Sequence, residues 1–308
     1  MQQIETDFGT LVTEEFNPVN ANTKHDGVFV AGKNLLSTPY GDLVPQYASE
    51  DMGRRPRKPV YFYKDGRLKS LPLQEQTTIT TSLGPIPAEL LTFHPNGAIK
   101  RIFPLDGKLS GFWSWQNEKK LAIPLTVCTP AGTITMKAIG LQFYDNGSLK
   151  SITFWPGETA EITTPAGSMK ARKGIAFYQD GTLRSCEPHA KTTVLTPIGE
   201  IKAYDNAANG IHGDRNSLEF HPDGSLATLK TIDNRITVDL GHGNIRTFSP
   251  GIQPNICGDE RLISVPMEVG FEQDKVIIDQ KHTFKKSACR FELTEHTTTA
   301  LTTVAPCS

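Results

Sequence analysis

The chain has 308 residues, with 33 acidic and 32 basic side chains, 26 glycines and 21 prolines. A net charge of −1 excludes general polyanion binding, which needs a basic surplus, so no nucleic-acid partner is expected, and no apolar run is long enough to span a membrane as a helix. The polar, acidic start Met1–Thr10 predicts no signal peptide, and five scattered cysteines, none at a Cys-x-x-Cys spacing, predict reduced thiols in a cytoplasmic protein rather than a disulfide framework or a zinc ribbon.

Two short patterns alternate along the chain. The first begins as Thr6-Asp7-Phe8-Gly9 and recurs as Thr38-Pro39-Tyr40-Gly41, Thr81-Ser82-Leu83-Gly84, Thr129-Pro130-Ala131-Gly132, Thr164-Pro165-Ala166-Gly167 and Thr196-Pro197-Ile198-Gly199. Proline presets φ at the second turn position and glycine suits the fourth. Aliphatic residues two before the threonine (Ile79, Val127, Ile162, Val194) and two after the glycine (Leu43, Ile86, Ile134, Met169, Ile201) make this a tight hairpin.

The second pattern reads FYKDGRLKS over Phe62–Ser70 and FHPNGAIKR over Phe93–Arg101, then loosely FPLDGKLS over Phe103–Ser110. It returns as FYDNGSLKS (Phe143–Ser151), FYQDGTLRS (Phe177–Ser185) and FHPDGSLAT (Phe220–Thr228), and in a degenerate form as FEQDKVI (Phe271–Ile277), where Lys275 replaces glycine. Asp-Gly and Asn-Gly accept the positive φ of a hairpin turn, and the preceding phenylalanine and following Leu or Ile take inward positions. His94 and His221 stand where other copies carry tyrosine, which makes them sheet-face residues rather than metal ligands. One repeat is thus two hairpins. Ile175 and Phe177 oppose Ala176 and Tyr178, which predicts one buried and one wet face. No long helix is expected. Past residue 230 the motif fades while β character persists: Val265, Met267, Val269 and Phe271 share a face. The expected organisation is a hairpin array over 1–230 and a degenerate, capping β region over 231–308, continuous with it, ending in a final strand or frayed end over Thr297–Ser308.

The nonamers FYKDGRLKS, FYDNGSLKS and FYQDGTLRS resemble the variant MORN repeat of bacterial proteins, an aromatic pair, Asn/Asp-Gly, then Leu-Lys-Ser. That resemblance covers roughly residues 25–230 and implies an all-β fold of tandem antiparallel hairpins in an open or rolled sheet, with a binding or scaffolding role and, in some relatives, an immunity or antitoxin role. The FHPDGSLATL stretch also looks like the Pro-Asp-Gly turn of WD-type blades, which makes a seven-bladed β-propeller the alternative architecture.

Function on a repeat scaffold lives where the repeat is interrupted. From Gly41 to Gly66 and from Gly199 to Gly224 the spacing is 26 residues, against 16 from Gly132 to Gly147. Two loops, 43–60 and 203–217, therefore leave the array at the same point of the repeat. His212 with Asp214 or Asp205 could move a proton, and Arg55, Arg57, Arg215 and Asn209 could hold a carboxylate or phosphate. Between Gly97 and Gly147, Trp113 and Trp115 share one strand face, where they either cap a widened sheet as core or, exposed, form a stacking or membrane-interface platform; Trp155 packs at a turn, and His242 lies in a glycine-flanked turn that can approach a ligand. No cofactor or metal is expected. Three functions follow: a binding or scaffolding protein with a protein partner or small anionic ligand; an enzyme acting on a small anionic substrate between loops 43–60 and 203–217; and an immunity-like protein.

Overall fold

The computed structural model describes residues 1–14, 27–50, 53–110, 113–208, 216–254 and 262–296. The chain divides into two compact units, Met1–Glu158 with Gln179–Gly181, and Thr159–Tyr178 with the residues from Thr182 onward.

The first unit contains β1 (Gln2–Thr6), β2 (Gly9–Thr13), β3 (Leu36–Thr38), β4 (Gly41–Leu43), β5 (Tyr61–Phe62), β6 (Leu68–Thr81), β7 (Gly84–Phe93), β8 (Ile99–Phe103), α1 (Trp115–Leu121), β9 (Leu125–Thr129), β10 (Gly132–Met136), β11 (Ala138–Phe143) and β12 (Leu149–Phe154). An antiparallel sheet runs β5-β6-β7-β8-β11-β12, while β1-β2, β3-β4 and β9-β10 are separate two-stranded ribbons.

The second unit contains β13 (Thr159–Thr164), β14 (Gly167–Phe177), β15 (Leu183–Pro188), β16 (Thr192–Thr196), β17 (Gly199–Ala203), β18 (Leu218–Phe220), β19 (Leu226–Thr231), β20 (Asn234–Asp239), β21 (Ile245–Phe248), β22 (Gly251–Pro254), β23 (Leu262–Val265), β24 (Met267–Glu272), β25 (Lys275–Ile278), β26 (His282–Lys285) and β27 (Arg290–Glu295). Its antiparallel sheet runs β13-β14-β15-β18-β19-β24-β25-β26, flanked by the ribbons β16-β17 and β22-β23 and by a three-stranded sheet β21-β20-β27. In each unit the pairing is a linear path through hairpins. The fold is all-β and open, neither a closed barrel nor a set of four-stranded propeller blades.

The threonine of the first pattern builds its own turn. Thr6, Thr38, Thr81, Thr129, Thr164 and Thr196 each donate the hydroxyl to the carbonyl of the turn glycine at 2.6–2.9 Å. In most copies the same oxygen accepts the N–H two residues on, as Ile198 N does toward Thr196 at 3.2 Å. The glycines sit at φ of +96° to +127°, where a Cβ is strained. A seventh turn was hidden from the sequence pattern. Thr231 donates to the Asn234 side-chain oxygen at 3.1 Å and accepts from Asp233 N, so an asparagine amide replaces the glycine carbonyl.

The Asp-Gly hairpins owe their register to a bulge. Gln142 faces Ser151 but Phe143 faces Leu149, so Lys150 has no partner across the pair. The same shift occurs at Tyr61/Phe62, Thr92/Phe93, Ala176/Phe177 and Glu219/Phe220. Skipping one residue lets Leu149 and Ile152, three apart, both point inward, at 6 % and 0 % exposure. The core is then a row across each sheet. Leu71, Leu91, Ile102, Leu141 and Ile152 stand opposite one another in the first unit, and Ile175, Cys186, Leu218, Leu229, Val269 and Ile278 in the second, all fully buried. Each such aliphatic side chain contributes about 1.5–3 kcal/mol of burial. In the first unit two ribbons pack on the sheet beside this row: Phe8 and Tyr40 reach Phe93 with ring centroids at 5.7 and 6.4 Å.

Successive copies are joined by a side chain. The residue after the motif phenylalanine reaches the carbonyl of the next copy's phenylalanine: Tyr63 to Phe93 at 2.7 Å, His94 to Phe143 at 3.0 Å, Tyr178 to Phe220 at 2.9 Å and His221 to Phe271 at 3.0 Å. A carbonyl only accepts, so Nε2 of both histidines carries the proton. His94 and His221 are therefore sheet-face residues, and Phe271 opens a sixth hairpin whose two-residue turn, Gln273-Asp274, replaces the Asp-Gly bulge.

Three expectations fail. Phe103–Ser110 is no hairpin: Phe103 ends β8, Gly107 lacks a positive φ, and its N–H serves Glu118 instead. Trp113 and Trp115 share no strand, because Trp113 is in a loop and Trp115 opens α1, capped by Ser114 Oγ accepting from Asn117 N at 3.3 Å. The outward face is not uniformly wet, since Ser151, Thr153, Ala176 and Ser185 are buried. Long side chains of that face fold back over it, as Lys69 and Lys150 do over the Tyr63 and Tyr144 rings.

Thr196→Val keeps the shape and removes both turn bonds; urea unfolding is expected to show a loss of about 1–3 kcal/mol, with Thr196→Ser near wild type. His94→Tyr is expected to unfold within about 0.5 kcal/mol of wild type and His94→Phe to lose about 1 kcal/mol, because only the tyrosine still donates to Phe143.

Candidate functional site

Both long loops leave the repeat identically, Gln46 N donating to Pro72 O and Tyr204 N to Lys230 O, each at 2.8 Å. They belong to different units. The first is held by buried charge. Arg54 directs Nη1 to Glu50 (2.9 Å) and Glu89 (3.0 Å), Nη2 to Glu89 (2.8 Å) and Glu118 (2.7 Å), and Nε to Glu118 (2.9 Å). Glu89 also accepts from Asp106 N, and Glu118 from Gly107 N and Trp113 Nε1. A Cβ at Gly107 would overlap the Glu118 carboxylate. Lys58 pairs with Asp106 at 2.7 Å. Burial pushes the Glu118 carboxyl upward, but the bonds from Arg54, Trp113 and Gly107 outweigh it and hold the group below the usual carboxylate range. Burial likewise opposes the Arg54 charge, and Glu118 and Glu89 overcome it. Asp106 is raised, burial winning over its pair with Lys58.

This cluster also settles where Arg55 and Trp113 point. Arg55 is buried and donates to the carbonyl oxygens of Leu73 and Gln74, and Trp113 is bound to Glu118. Arg57 forks onto Glu14 at 2.7 and 2.8 Å and lies 4.6 Å over the Phe29 ring. Trp115 is half-buried on α1, and Trp155 is buried just past β12. These groups hold loop 43–60 and the neighbouring loop against β7 and α1.

In the second unit, Asp205 is buried, accepts Ala207 N at 2.8 Å, and faces Lys230 at 3.6 Å. Arg172 donates to the carbonyl oxygens of Pro188 and Asp205, contacts Glu187 at 3.3 Å and stacks on Tyr204. Glu187 also accepts Ser217 N and Oγ, yet burial is the stronger influence and raises its carboxyl. Asn209, His212, Asp214 and Arg215 lie outside the described residues. His242 is exposed between β20 and β21, at φ +55° between two positive-φ glycines.

Asp205 opens onto a cleft of about 420 Å³, lined also by Lys230, Ser264, Glu268, Asp279 and Gln280. Asp279 and Gln280 are consecutive non-glycine residues at φ +50° and +55°. They are fixed there by Glu268, whose N–H donates to the Asp279 carboxylate at 2.9 Å and whose own carboxylate accepts Gln280 Nε2 at 2.9 Å. Backbone strain of this kind costs of order 1–3 kcal/mol per residue.

Among the described residues, Asp205 is the one sequence candidate that lines this cleft. Arg54, Glu89 and Glu118 were missed, as were Lys230, Glu268, Asp279 and Gln280. A signal existed for Glu89 and Glu187: each interrupts an apolar strand, Ala88-Glu89-Leu90-Leu91 and Cys186-Glu187-Pro188. Comparison with known protein families, curated proteins and solved structures gave no match. No helix among the described residues is long and apolar enough to cross a membrane.

Arg54→Met strands two buried carboxylates and is expected to cost about 3–5 kcal/mol by denaturant unfolding at neutral pH. Because the folded Glu118 carboxyl is depressed, its contribution is present above the ordinary carboxylate pKa and lost as pH falls through the folded value. The gap between wild type and Arg54→Met is therefore expected to narrow in acid.

Proposed function

We propose that the chain is a small-ligand binding module on a MORN-like hairpin array, with the second unit's cleft as its site. The observation that carries this reading is the mixed polar lining held on strained, hydrogen-bonded backbone: the carboxylates Asp205, Glu268 and Asp279, the Lys230 ammonium, the Ser264 hydroxyl and the Gln280 amide. Donors and acceptors of both signs in one cleft suit a compact polar ligand that bears amino and hydroxyl groups. Strain retained at such a place favours pre-organised recognition. The thiols of Cys128, Cys186 and Cys289 are unpaired, which fits a reducing, cytoplasmic setting.

The test is a thermal-shift screen of small polar metabolites on wild type and on Asp279→Asn. A ligand at a hundred times its Kd stabilises by about 2.7 kcal/mol. The expected result is a compound that shifts wild type and fails to shift Asp279→Asn. Equal shifts in both, or none from any compound, would count against the cleft.

A further inference from the structure

Strand β14 carries a second irregularity. Its register steps from Arg172 opposite Glu187 to Ile175 opposite Cys186, leaving Lys173 and Gly174 in one gap, with Lys173 at φ +59°. Displaced from the alternation, the Lys173 side chain crosses to the loop after β17, where Nζ donates to the Ala208 carbonyl oxygen. The adjacent cation takes the better partner. Arg172 holds Glu187 and two carbonyl oxygens, and the remaining Glu187 oxygen serves Ser217. Asp205 is engaged by Ala207 N and Lys230. Among the described residues Lys173 thus has a neutral carbonyl as its polar partner and forms no ion pair, although Arg172, Glu187, Asp205 and Lys230 all surround this corner.

We propose that Lys173 is a carbonyl-reactive lysine whose amine condenses with a small 2-oxo acid. Burial, and next the Arg172 charge, both disfavour the ammonium and lower its pKa, with Glu187 and Asp205 opposing. More neutral amine is then present near neutral pH, and the neutral amine is the nucleophile. Arg172 supplies the other half of the site: Nη1 has no hydrogen bond among the described residues, and a guanidinium edge suits the acid's carboxylate. The nitrogen lone pair attacks the carbonyl carbon, the C=O π pair moves to oxygen, and proton transfer gives a carbinolamine. Loss of water then leaves the imine, with no change of oxidation state.

Intact protein is incubated with glyoxylate near neutral pH, reduced with cyanoborohydride and mapped by peptide mass. The adduct is expected at Lys173 at least about tenfold faster than at the exposed Lys281 and Lys285, and to be absent from Lys173→Arg. The Lys173 rate is expected to plateau below the ordinary lysine range. Labelling no faster than at Lys281 and Lys285 would overturn the proposal. An equal preference for Lys173 with uncharged propanal would overturn the assignment to oxo acids. Neither outcome depends on whether the cleft binds a ligand.

Discussion

The bulge after each Asp-Gly turn is the constraint on which both sheets depend. In a regular strand Leu149 and Ile152 would face opposite sides, and one would be in water. Omitting Lys150 from the pairing turns both inward and lets the buried rows pass from strand to strand without interruption. A lysine or arginine stands at four of the five bulges (Lys69, Lys100, Lys150 and Arg184, with Ala227 at the fifth), because the skipped side chain leaves the ladder and a long cation can lie back over the sheet face, as Lys69 and Lys150 do. The tyrosine or histidine that joins one copy to the next does not depend on the bulge, since His221 reaches the Phe271 carbonyl although that copy turns without one.

Where the repeat is interrupted, polar chemistry replaces apolar packing. Loop 43–60 is rich in arginine and proline and has little apolar surface to bury, so it is seated by one guanidinium among three carboxylates. Such a cluster adds little net stability over an apolar one, but its geometry is specific: Arg54 fits one arrangement of Glu89 and Glu118, and the loop has one seat. The second unit answers the same interruption with Arg172, Glu187 and Ser217. Its donor set is smaller, and it leaves Lys173 facing a carbonyl.

Much of the fold was legible because turns are local. A threonine that satisfies its own glycine carbonyl, and an Asp-Gly pair at positive φ, need only neighbouring residues, so their pattern survives in one dimension. The bulge is also local, and its trace is the Leu-Lys-Ser-Ile spacing, which a strict period of two misreads. The candidate site was less legible because its residues come from separate strands and the loops after them: Asp205, Lys230, Glu268 and Asp279 share no sequence spacing. Asn234 shows a subtler limit, since an amide side chain does the work of a glycine carbonyl in a turn that no Thr-x-x-Gly pattern contains. Arg57 was read as a ligand donor because its partner Glu14 lies far along the chain, and Arg55 because the carbonyl oxygens it meets belong to β6.

Cys186 occupies a place in the buried row where every other position is aliphatic. Burial pushes its thiol well above the ordinary cysteine range, so the thiolate is suppressed while the sheet is closed. The second unit therefore carries an internal clock. Reaction of Cys186 with a thiol reagent must wait for separation of β15 from its neighbours, and its rate measures how often the central strands open rather than how the surface moves.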